Sequence, residues 1–290
     1  MSRNTLILLL FLALAPPSFL FAGDDLKILD QVVAANAQAQ TGLQSYLVTV
    51  ETSRIKEMMD NMTSGMPAEV APPQAPIIFK FWQREGQGLI YASQTQLAPY
   101  VEKMVGQLSA NLAIELNEMI LPKSRAEQRR ALTESASIKT SKVALADQRM
   151  QRLEIIFDQP TDLDEAFYVS GMRLPQKQVT SLRLDIDTRT ETVSEMSIIT
   201  SNGTNLAVEI RYLEVDGGHI PERFQITSPD GKTDDLFEVS FDKVGEFILP
   251  KSMVRTINRP NLQDKLEVFF KGYQINQPIP EDIRARLKEQ

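Results

Sequence analysis

The chain has 290 residues, a formal charge of -7, a pI ≈ 5.0 and no cysteine. That length suits one large domain or two small ones. The acidic balance disfavours nucleic acid and anionic membrane surfaces as partners, because phosphate recognition needs a basic face, and the lack of cysteine excludes a disulfide framework.

Residues 1–22 read as a secretory signal peptide. Arg3 gives a positive start, Thr5 to Leu14 is apolar, and Leu20-Phe21-Ala22 offers a cleavage point near Ala22. The apolar run is too short for a membrane span, and acidic residues follow at once. A lipid-anchored bacterial precursor would need a cysteine at the new N-terminus, so a soluble mature chain is expected. Export without disulfides points to a bacterial periplasm.

Asp24 or Asp25 is positioned to cap a helix over 25–41 that carries Leu26, Leu29, Val33 and Ala37 on one face, with Gly42 ending it. Ser45 to Arg54 alternates as a strand. Met58 to Pro76 reads as a loop rich in methionine and proline. Ile77 to Trp82 is the next strand, with Ile77, Phe79 and Phe81 on one face and Lys80 and Trp82 on the other. Glu85 to Gly88 turns the chain into Leu89-Ile90-Tyr91. A second helix over 96–121 carries Leu97, Val101, Met104, Leu108, Leu112 and Met119, with Pro122 ending it. Residues 123–137 begin as helix and then unwind. From Ile138 the pattern is strand, punctuated by turns at Thr188 to Glu191, Asn202-Gly203, Asp216-Gly217-Gly218 and Asp230-Gly231. A short polar helix over roughly 280–290 closes the chain on the surface.

The last third hides a repeat. Glu209-Ile210-Arg211-Tyr212, Glu238-Val239-Ser240-Phe241 and Glu267-Val268-Phe269-Phe270 are spaced 29 residues apart. The first two copies share Val215/Val244 and the prolines Pro221/Pro250 in register. Two strands and two turns fill such a period, so an antiparallel meander is expected. Strands that alternate apolar and charged residues bury one face, and that face needs a cover. The predicted fold is α+β: a strongly curved antiparallel sheet, an unclosed β-barrel, with helices covering its concave face.

Chemistry is sparse. His219 is the only histidine and sits in a turn, so a zinc site is not expected. Asp162, Asp164 and Glu165 lack the glycine bend of a calcium loop. Asp185 and Asp187 share a strand face and are expected to be exposed. A nucleophile elbow, a phosphate-binding glycine loop and a catalytic triad are all missing. The expectation is a protein without catalysis, metal or cofactor.

The stretches Asp25 to Asp30, Leu43 to Val50, Pro76 to Trp82, Leu184 to Val193 and Lys271 to Asn276 resemble the LolA/LolB-like superfamily of periplasmic lipoprotein carriers and sensors. The likeness is scattered over most of residues 23–290, which are expected to form one LolA-like domain with a helical insertion around 96–135. Where such carriers often have an arginine after the proline of the second strand, this chain has Ile77. The resemblance implies a hydrophobic cavity between sheet and lid. Burial of an acyl chain there gains about 0.8 kcal/mol per CH₂. The residues expected to line it are Val48, Val50, Met58, Met62, Met66, Ile77, Phe79, Phe81, Val101, Met104, Leu108, Tyr212 and Phe241; the methionines of 58–66 read either as a flexible gate or as a loop that is packed on the domain or disordered. The implied function is carriage or binding of lipid or lipoprotein acyl chains in outer-membrane biogenesis. The alternative is an envelope-stress sensor or protein-binding scaffold. An inner- or outer-membrane protein is a second candidate partner; stable membrane insertion is not expected.

Overall fold

The 29-residue repeat sets the frame of the molecule. In the computed structural model, residues 26–64, 66–67, 75–84, 88–93, 99–112, 114–143, 149–169 and 176–288 are described. The segment read as a signal peptide, the acidic cap before the first helix, the 85–87 turn, Leu97 and Ala144-Leu145 lie outside them.

Twelve strands form one sheet. They are β1 (Ser45–Thr52), β2 (Ile78–Gln83), β3 (Leu89–Ala92), β4 (Ala136–Lys142), β5 (Met150–Thr161), β6 (Val179–Asp187), β7 (Thr192–Thr200), β8 (Asn205–Val215), β9 (Gly218–Thr227), β10 (Asp234–Val244), β11 (Phe247–Arg259) and β12 (Leu262–Ile275). Their spatial order is β3-β2-β1-β12-β11-β10-β9-β8-β7-β6-β5-β4, so β4 to β12 run as an unbroken meander. The three strands β1 to β3 join it through the pairing of β1 with β12. All pairs are antiparallel, and β3 and β4 end the order as edges, so the barrel is not closed. This is the α+β fold that the alternation predicts.

The three copies of the repeat fall in β8, β10 and β12. Their shared prolines acquire a physical reason here. Tyr212 pairs with Pro221, and Phe241 with Pro250, each beside a register shift that leaves Glu222 and Lys251 as extra residues. Proline donates no ladder hydrogen bond, so a bulge is where it costs least. Bulges also bend strands and increase their twist, which curves the sheet.

The helices are α1 (Lys27–Gln38), α2 (Ser53–Thr63), α3 (Pro99–Leu112), α4 (Ala126–Thr133) and α5 (Glu281–Lys288), with short 3-10 turns at Leu116–Glu118 and Lys123–Arg125. Four readings are corrected. Residues 58–63 are helical, not loop, because Thr52 Oγ1 accepts from the Ile55 amide at 3.2 Å and caps α2. Polar Lys56, Glu57, Asp60 and Asn61 between the apolar positions mask its period. The first helix stops at Gln38, before Gly42; Gln40 takes the left-handed conformation instead. The helix α3 stops at Leu112, and Pro122 lies in a separate turn beyond it. Asp185 is buried at 7% exposure, because Arg152 grips both its oxygens at 2.7 Å on the outer face.

The turn at Asp216-Gly217-Gly218 seats the end of α1. The Gln40 amide donates to the Asp216 carbonyl at 2.7 Å. Gly217 has φ +72, and a Cβ there would stand 2.6 Å from the Gln38 carbonyl oxygen. Gly203, in another turn, also has positive φ but has open space around it. Gly217→Ala is therefore expected to cost about 2 kcal/mol more than Gly203→Ala, a difference of several degrees in Tm by thermal unfolding. Equal losses would show that the turn does not support α1.

The lidded face of the sheet as candidate functional site

One apolar cluster runs across the inner face of the sheet. It takes Tyr46, Val48 and Val50 from β1, Val268 and Phe270 from β12, Phe224 and Ile226 from β9, and Leu182, Leu184 and Ile186 from β6, with further side chains from the strands between. Several segments cover this face, α3 among them through Leu108 and Leu112. The helix α1 contributes Ile28, Leu29 and Val32; the stretch after α3 contributes Leu116, Met119, Ile120 and Leu121; the β5–β6 connection contributes Leu163, Phe167 and Val169. The last two are joined by an isolated bridge between Ile120 and Tyr168.

Arginines stitch the lid to backbone carbonyls. Arg84, just after β2, donates to the carbonyls of Ala37 at 2.9 Å, Ala39 at 3.1 Å and Leu43 at 2.8 Å, and to that of Gln40. It thus satisfies the carbonyls that α1 leaves open at its C-terminal end. Arg125 donates to Asp164 at 2.5 Å and Phe167 at 2.8 Å, and Arg129 to Pro122 at 2.7 Å and Ala166 at 3.2 Å. Burial lowers the Arg84 and Arg129 guanidinium pKa values from their ordinary range. Asn117 ties the lid to itself through the Asn36 carbonyl at 3.1 Å.

A charge sits between lid and sheet. Lys80 of β2 points inward, and its Nζ lies 2.5 Å from Glu115 Oε1, with side-chain exposures of 4% and 13%. The Tyr46 hydroxyl donates to the same oxygen at 2.8 Å. Aromatic rings complete the surround: Tyr46 stacks on Trp82 and meets Tyr273 edge-on, both at 5.4 Å, and Lys80 Nζ lies 5.7 Å from the Tyr46 ring centre. Burial, and then the neighbouring Glu115, push the Tyr46 hydroxyl well above its ordinary range. Beside this cluster lies a cavity of ≈ 40 Å³ bordered by Gln40, Tyr46, Trp82, Arg84, Glu115 and Phe241, among others. It has room for about three water molecules and none for an acyl chain. A wider cleft of ≈ 230 Å³ opens at the other end of α1, lined by Leu26, Leu29, Asp30, Ala126, Arg129, Arg130, Thr133 and Glu134.

The predicted lining residues divide. Val48, Val50 and Leu108 are buried in the inner cluster, and Met104, Tyr212 and Phe241 pack against it. Val101 is buried on α3. Met58 is half-buried on α2, Met62 is exposed there, and Met66 is half-buried just beyond it. Ile77 is 50% exposed ahead of β2. Phe79 and Phe81 lie on the opposite face, in a second cluster with Leu89, Tyr91 and Ile283, beneath α5. The reason is that β1 to β3 are covered on both sides, so either face of an alternating strand is apolar enough to be core. Lys80, Glu115, Tyr46 and Arg84 were not anticipated. Only the inward parity of Lys80 with Trp82 signalled part of this group.

No family model matches the chain, and no curated protein matches it in sequence. Solved structures resemble it at the level of overall fold. A domain from Vibrio parahaemolyticus, described as of outer membrane lipoprotein-sorting type, has 9% identity and a TM-score of 0.35, covering 91% of this chain and 99% of its own. A LolA superfamily protein from Nitrosomonas europaea has 7% identity and a TM-score of 0.30, covering 88% and 96%. The Pseudomonas aeruginosa MucA/MucB complex contributes a chain with 10% identity and a TM-score of 0.23, covering 91% and 96%. Among the described residues, no helix is long and apolar enough to cross a membrane.

Glu118, in the lid, supplies a test of how dry this boundary is. Burial, and then Glu115, raise its carboxyl pKa above the ordinary value. A carboxyl raised on folding gives its full contribution below the unfolded pKa and loses it as pH climbs through the folded value. Glu118→Gln is therefore expected to raise Tm at pH 7 and to change it little at about pH 4, where the wild-type group is largely protonated. The same shift at both pH values in thermal unfolding would place the carboxylate in water.

Proposed function

We propose that this chain is an exported, non-catalytic binding protein that takes up the acyl chain of a lipid or lipoprotein between its sheet and its lid. One observation carries the reading. The continuous apolar face is covered not by a second sheet but by separate short segments, whose polar clasps to the strand side include Arg84 and the pair Lys80 with Glu115. Such a cover lifts without breaking a ladder hydrogen bond of the sheet. The cavity of ≈ 40 Å³ beside Lys80 is too small for an acyl chain, so uptake at that place requires the lid to move away. Apolar wall and lid then supply the transfer free energy, and a specific polar contact is not required for affinity.

A protein partner is the second reading, favoured by the exposed cleft between α1 and α4, where Leu26, Leu29 and Ala126 are rimmed by Asp30, Arg130 and Glu134. In that case the same fold serves as an envelope-stress sensor or scaffold.

Native mass spectrometry separates the two. The full chain is produced in a Gram-negative host, collected from the periplasmic fraction, and weighed before and after solvent extraction. The expected result is an extractable mass matching one acyl lipid, with a fluorescent fatty-acid probe binding the emptied protein. Absence of both the mass and probe binding, with a co-purifying protein instead, would overturn the carrier reading in favour of the second.

A further inference from the structure

We infer that Lys80 is the anchor for an anionic head group, and that Glu115 holds the place of that anion while the lid is closed. The inference rests on the acyl-binding reading above and names the ligand class. Lys80 is the one buried lysine among the described residues. It stands on the floor of the trough, on the face that carries Ile78, Trp82 and Val50. Its counter-charge comes not from the sheet but from Glu115, in the stretch that leads into the lid turn at Leu116–Glu118. That turn packs against α1 and β9 and is tied to α1 through Asn117.

When the lid lifts, Glu115 leaves with it. An ammonium then remains at the bottom of an apolar trough, flanked by the Tyr46 hydroxyl. Once an acyl chain covers the trough, an ammonium without a counter-charge is costly, so a ligand that brings one is favoured. A carboxylate or phosphate fits, since either accepts the ammonium and the tyrosine hydroxyl as the Glu115 oxygen does. Arg84, the other nearby cation, serves the carbonyls around the end of α1 while the lid is closed and is the less buried of the two. An acyl chain along the apolar face with its head group at Lys80 therefore replaces the lid contact in kind, and a neutral head group does not.

The test compares three probes with the same chain: oleate, 1-oleoyl-lysophosphatidate and monoolein, each titrated by displacement of a fluorescent fatty-acid probe. The wild type is expected to bind one or both anions about tenfold more tightly than monoolein, the factor a net charge-assisted contact supplies. A gain with both assigns charge alone; a gain with one assigns that head group. Glu115→Gln removes the competitor and is expected to tighten anion binding about tenfold further. Lys80→Met alone leaves Glu115 buried and unpaired, so the double variant Lys80→Met/Glu115→Leu, which removes both charges, guards against misfolding. It is expected to keep monoolein binding and to lose the preference for anions. Equal binding of all three probes by the wild type, or a preference that survives in the double variant, overturns the role of Lys80 and leaves the carrier reading standing. Failure of all three probes to bind brings down both.

Discussion

The structure depends on one-sided burial across a single curved sheet. Every strand of the meander presents an apolar residue inward at alternate positions, and the bulges at Glu222 and Lys251 bend two neighbouring hairpins at equivalent places in the repeat. A curved sheet of this size cannot bury its inner face against itself unless it closes. It remains open between β3 and β4, so helices and connections must supply the missing half of the core. The three strands β1 to β3 extend the same surface on the far side of β12, and α5 covers their outer face with Ile283 at 0% exposure.

The cover differs in kind from the sheet. Strands are held by ladders of backbone hydrogen bonds, whereas the polar contacts of the lid come mainly from side chains: Arg84 on the end of α1, Arg125 and Arg129 within the lid on the β5–β6 connection, and Lys80 with Glu115 between floor and lid, with the Gln40 amide on the Asp216 carbonyl beside them. These contacts are short and mostly shielded, but few. Buried ion pairs contribute little net stability, since desolvation offsets most of the attraction. Their value lies in position. They keep the lid in register, while the strands keep their ladder hydrogen bonds independently of them. On the outer face the charges behave differently. Arg152 with Asp185 and Arg183 with Glu154 pair across β5 and β6 and occupy the carboxylates there, which leaves Asp185 committed to its arginine rather than free as a base.

Much of this was legible in the residues. The spacing of Glu209, Glu238 and Glu267 marks alternate strands of the meander, and Asp216-Gly217-Gly218 and Asp230-Gly231 mark its turns. Three features were hidden for physical reasons. The helix α2 was masked because its methionines are interleaved with charged residues and followed by prolines. The faces of β2 could not be told apart because both are covered, so the two phenylalanines drew attention away from Lys80 and Trp82. The contact of Lys80 with Glu115 joins a strand to an irregular turn, a pairing that neither helical nor strand periodicity encodes. Val48 and Leu108, buried on regular elements of the inner face, follow directly from alternation and helical spacing; the pairing of Lys80 with Glu115 does not.

Movement of the lid relative to the sheet is the central requirement. The chain has no native cysteine, so Ala34→Cys on α1 and Glu238→Cys on β10, both at exposed positions, accept spin labels without side reactions. Distances between them are measured by pulsed electron–electron resonance with and without saturating oleate. A single narrow distance in the empty protein that lengthens on ligand binding is the predicted result. An unchanged distance in protein that has demonstrably bound oleate would contradict a lid that lifts to admit the chain.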